Sequence, residues 1–77
     1  MRKLTEKDKE IVGIIKQYHL EHGYMPSYRE IANKAGMSSS ASVEQHMTRL
    51  FDLGILETDF DDFIPPRGYR IARNYEY

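Results

Sequence analysis

Apolar side chains recur along the chain in three helical stretches followed by two short alternating ones. The first stretch carries Ile11, Val12, Ile14, Ile15 and Tyr18, a broad stripe at the spacing of an amphipathic helix. Thr5 with Asp8 forms a [ST]-x-x-[DE] start signal, Glu6, Asp8 and Glu10 suit the positive end of the helix dipole, and Gly23 is a natural stop. This predicts a helix over about 5–22. Ser27 and Glu30 make a second capping box, Ile31, Ala32 and Ala35 a small apolar face, and Gly36 a second stop, predicting a helix over about 27–35. The serines Ser38 to Ser40 then offer another N-cap. Val43, Met47, Leu50 and Phe51 follow at helical spacing to Leu53-Gly54, predicting a helix over about 39–53. Beyond it, Ile55-Leu56-Glu57-Thr58 and Tyr69-Arg70-Ile71-Ala72 read as two strands, joined by a loop of roughly nine residues rich in Asp, Pro and Gly. The expected fold is mainly α with a small β-hairpin, an α+β class, in one domain over 1–77 with the hairpin at about 55–72. The tail from Arg73 to Tyr77 is expected to be loosely held.

The second and third helices are joined by a very short turn, and the small Ala32 lies four residues before Gly36, so the two helices can cross closely. That is the helix-turn-helix arrangement, whose second helix enters the DNA major groove with its N-terminal residues at base edges. The outward face of the third helix, with Ala41, Ser42, Glu44, Gln45, Thr48 and Arg49, is polar and short-chained. An ordinary helical hairpin inside a core is the competing reading of the same pattern.

Composition narrows the classes. A chain of 77 residues, 40% apolar and 30% charged, suits a small folded domain that buries roughly 60% of its unfolded surface. The absence of cysteine excludes disulfides and thiolate metal sites and suits a reducing cytoplasm. No signal peptide or membrane-spanning run is present, so no membrane partner is expected. The net charge is −1, low for a DNA-binding domain, but the acid is local. Glu57, Asp59, Asp61 and Asp62 crowd into residues 55–62 without a base, while residues 63–77 carry Arg67, Arg70 and Arg73 against Glu76. Phe60 and Phe63 flank two of these acids, so a protein partner bound through an acidic, aromatic hairpin is the alternative to DNA. His19 and His22, three apart, lack further ligands for zinc, so neither a metal nor any other cofactor is expected. No nucleophile set or phosphate-cradling glycine loop suggests an enzyme.

Four ordered pieces carry a resemblance: G-Y-M-P-S-Y-R-E-I-A at Gly23 to Ala32, S-S-S-A-S-V-E-Q-H-M at Ser38 to Met47, L-G-I-L at Leu53 to Leu56, and P-R-G-Y-R-I at Pro66 to Ile71. With them the chain resembles the N-terminal DNA-binding domain of the LexA repressor family, a winged helix-turn-helix, over Leu4 to Ile71. The resemblance implies transcriptional repression by binding double-stranded operator DNA, within the family's SOS response; the expected regulator is either a stand-alone protein, such as one from a phage or other mobile element, or the excised domain of a longer repressor. It implies base contacts from Ser39, Ala41, Ser42, Glu44 and Gln45. It implies phosphate contacts from Ser27, Tyr28 and Arg29 at the second helix and from Arg67 and Arg70 in the wing. Arg49, one turn beyond the base-reading set, reaches either phosphate or Asp52. Chemically, Gln45 can pair bidentately with adenine, Glu44 can accept from cytosine N4, Ser39 and Ser42 can meet either, and Ala41 offers a methyl group. Simple N-capping is the competing role for Ser39, and a solvated surface acid for Glu44. Full-length members also carry a self-cleaving serine–lysine domain that supplies most of the dimer contact. Seventy-seven residues leave no room for it, so self-cleavage is expected to be absent and any homodimer on DNA weak.

Overall fold

Each of the first two helices begins where a side chain satisfies its free N–H groups and ends where only glycine is unstrained. The computed structural model describes residues 4–73; of the expected loose tail, Asn74 to Tyr77 lie outside the described residues. α1 spans Glu6–His22. Asp8 N donates to Thr5 Oγ1 and Thr5 N donates to Asp8 Oδ2, both at 3.0 Å. α2 spans Tyr28–Ala35, and its box closes through Glu30 N to Ser27 Oγ at 3.2 Å and Ser27 N to Glu30 Oε1 at 2.7 Å. Gly23 and Gly36 end the two helices at φ of 82° and 68°, where an L side chain would be strained.

α3 spans Ser40–Asp52. Its start departs from expectation. Ser39 holds the N-cap position with extended backbone but makes no side-chain cap bond. Its hydroxyl lies instead 3.5 Å from that of Ser42, so the triple serine supplies a turn without a hydroxyl cap.

The strands are shorter than the alternation predicts. β1 (Leu56–Glu57) pairs antiparallel with β2 (Arg70–Ile71), Leu56 opposite Ile71 and Glu57 opposite Arg70. Two local bonds explain the trimming. Ile55 N donates to Leu50 O at 3.0 Å, so that residue still closes the end of α3. At the other end the Thr58 hydroxyl donates to Gly68 O at 2.6 Å, in place of a backbone rung. The connection therefore runs over residues 58–69, longer than expected.

The core is one cluster. Ile11, Val12 and Ile15 of α1 meet Ile31 and Ala32 of α2, Val43, Met47 and Leu50 of α3, and Ile55, Leu56 and Tyr69 of the hairpin. The apolar stripes of all three helices are thus satisfied against one another. Tyr69 also ties the hairpin to the α1–α2 connection, its hydroxyl donating to Pro26 O at 2.6 Å. The result is a three-helix winged helix-turn-helix. Among the described residues no helix is long and apolar enough to cross a membrane.

Candidate nucleic-acid interface

The face of α3 away from the core is open. Val43, Met47 and Leu50 are buried, and the helical repeat then turns Ala41, Glu44, Gln45 and Thr48 to the surface, where all four are exposed. Ser39 is exposed and Ser42 half-buried. An open groove of about 590 Å³ runs beside this face. One wall is α3 at Glu44 and Thr48, another the start of α2 at Tyr28 and Arg29, and the third the wing at Phe63 and Pro65. Burial, and then the charge of Glu44, push the Tyr28 hydroxyl pKa up, as expected with that carboxylate facing the cleft.

The charged residues are distributed less simply. Arg29 at the first turn of α2 is exposed, and among the described residues no carboxylate pairs with it. The other three arginines expected at phosphates each hold an acid. Arg49 Nε lies 2.9 Å from Asp8 Oδ2, not against Asp52. Arg67 grips Glu30 through two bonds of 2.7 and 3.2 Å. Arg70 meets Glu57 at 2.9 Å and Asp59 at 3.1 and 3.2 Å. The acidic stretch is therefore partly neutralised within the wing, with Asp61 and Asp62 left exposed. Phe60 is 49% and Phe63 73% exposed, so the aromatic pair stands on the surface beside them.

Two functional supports are not legible from spacing alone. Asp8 has no exposed surface. Besides capping α1 it accepts from His46 Nδ1 at 2.6 Å and from Arg49, so one carboxylate fixes the back of α3. Burial works to raise its pKa, but the bonds from His46 and Thr5 and the charge of Arg49 outweigh burial and hold it below the usual value. His46 thus faces α1. Tyr69 is the second, reading in sequence only as a strand residue. His22, weighed above as a metal ligand, stacks instead against Tyr18 at 4.1 Å and Tyr24 at 5.7 Å.

The comparisons with known proteins bear on the same region. A model of the LexA DNA-binding domain matches residues 1–62, covering all three helices and the first half of the wing. The chain belongs to the LexA DNA-binding domain family. The LexA repressor of Staphylococcus aureus strain Newman is 44% identical over 59 residues, and that of strain USA300 42% identical over the same length. The aligned part is 77% of this chain but only 28% of each LexA repressor. The chain thus spans a little over a quarter of the relatives it matches. Residues 63–73, with Arg67, Tyr69 and Arg70, lie beyond the part that the LexA domain model matches.

Proposed function

We propose that this chain is a sequence-specific double-stranded DNA-binding regulator that represses transcription, as the names of its LexA relatives suggest. The observation that carries the reading is the uncovered polar face of α3, set beside the N-terminus of α2 in a member of a DNA-binding domain family. Ala41, Ser42, Glu44 and Gln45, with Ser39 before them, read base edges in the major groove. Ser27, Tyr28 and Arg29 meet the phosphates that flank it, where the backbone N–H groups and positive dipole end of α2 favour anions. Two copies on a two-fold site place their reading helices one DNA turn apart, about 34–36 Å, as a weak homodimer formed on the operator. The protein acts by binding, in the cytoplasm beside the chromosome.

Selection from a random duplex library at low salt tests this. The expected product is a palindromic site bound with a steep salt dependence, log K falling by about 0.9 per phosphate neutralised. Recovery of no preferred sequence refutes the proposal.

A further inference from the structure

We infer that Arg67 is a positioning residue that sets the wing against the DNA-reading face, and not one of the phosphate contacts. The inference rests on the DNA-binding reading above and reassigns one residue within it.

The guanidinium is occupied on three sides. Its Nη1 donates to Glu30 Oε1 at 2.7 Å and to the Met25 carbonyl at 2.8 Å, and its Nη2 to Glu30 Oε2 at 3.2 Å. The Tyr24 ring covers one face, with its centroid 4.7 Å from the guanidinium carbon. Three of the five donors are thus spent on protein oxygens. Glu30 is held just as firmly from the other side, its Oε1 accepting from Ser27 N at 2.7 Å and its Oε2 from the Tyr18 hydroxyl at 2.8 Å.

The cluster therefore joins α1 (Tyr18), the connection (Met25), the cap of α2 (Ser27) and the wing root (Arg67). Arg67 directly follows the Phe63–Pro66 segment that walls the groove beside Glu44. Tyr69, two residues on, adds a second tie at Pro26. Releasing Arg67 frees the groove wall without removing a charge that faces DNA.

The test measures binding to the selected palindrome across a salt series for the wild type and for Arg67→Met, Arg67→Lys, Glu30→Gln and Arg29→Ala. Glutamine can still accept the Ser27 N–H, so Glu30→Gln keeps the capping box and loses the charge. Arg67→Met and Glu30→Gln are each expected to weaken binding by about three- to tenfold, with the double variant no weaker than either alone. Both keep the wild-type salt slope, whereas Arg29→Ala lowers it by about 0.9. Arg67→Lys, which keeps the charge but loses the two-pronged grip, behaves like Arg67→Met. A slope lowered by Arg67→Met, with Arg67→Lys or Glu30→Gln binding like the wild type, overturns the inference. Amide exchange at Gly68 and Ala72 reads the wing without DNA. Faster exchange in both variants is expected, and unchanged exchange overturns the positioning role. A wild type that selects no sequence overturns the functional proposal instead.

Discussion

Replacing Asp8 by alanine removes the acceptor on which three donors converge: Thr5 N at 3.0 Å, His46 Nδ1 at 2.6 Å and Arg49 Nε at 2.9 Å. A hydrogen bond to a charged partner contributes about 1.5–3 kcal/mol. Breaking a fully buried ion pair costs about 3–5 kcal/mol, because the remaining charge is stranded. Here that figure must be reduced, since the Arg49 side chain is 48% and the His46 side chain 25% exposed, and both can turn to water. The expected loss is about 2–3 kcal/mol, a large share of the roughly 4–12 kcal/mol available to a chain of this length at 0.05–0.15 kcal/mol per residue. At roughly 4–8 °C per kcal/mol, the thermal midpoint falls by about 10–20 °C. Urea unfolding followed by circular dichroism measures this as a lower midpoint at unchanged slope. Arg49→Met alone is expected to cost less, and the Asp8→Ala/Arg49→Met double variant no more than Asp8→Ala alone. A loss below about 0.5 kcal/mol for Asp8→Ala, or simple additivity in the cycle, refutes the view that this carboxylate anchors α3 to α1.

Gln45→Ala is expected to cost about 1–3 kcal/mol on the selected site and to relax one base position, read by repeating the selection with the variant. Met47→Ala empties the fully buried centre of the core and should lose about 2–5 kcal/mol of stability in urea. Gly68→Ala places a Cβ 2.8 Å from the Pro65 ring and 3.0 Å from that of Phe60. It should lower stability by about 1–3 kcal/mol through crowding and shift the Phe60 ring resonances. The bonds from Arg67 first, and then from Ser27, pull the Glu30 carboxyl from 4.5 to about 2. A carboxyl depressed in the folded state adds stability that is complete above its unfolded value and is lost as pH falls. Asp8 is shifted in the same direction. Urea midpoints should therefore hold above pH 4.5 and fall between 4.5 and about 2, and Glu30→Gln should flatten part of that fall. A midpoint independent of pH across this window contradicts the pairing.

Sequence by itself determined the three helices to within a residue or two, because their signals are local. A capping box needs only residues three apart, a left-handed stop needs only a glycine, and an apolar stripe needs only the 3.6-residue repeat. The same repeat determined that Glu44 and Gln45 point away from Val43 and Met47. Tertiary structure decided the rest, because the remaining partners are distant in the chain. Asp8 reads locally as a cap, and only the packing of α1 on α3 brings it to His46 and Arg49. Arg67 and Arg70 read as phosphate contacts of the wing, and only the folding of the wing lays them against Glu30, Glu57 and Asp59. Strand length escaped for a different reason: Ile55 N turns to Leu50 O, leaving that pair the single rung from Ala72 N, and the Thr58 hydroxyl takes Gly68 O, bonds that alternation cannot foresee. A side chain's charge is written in the sequence, but which opposite charge it meets depends on the fold.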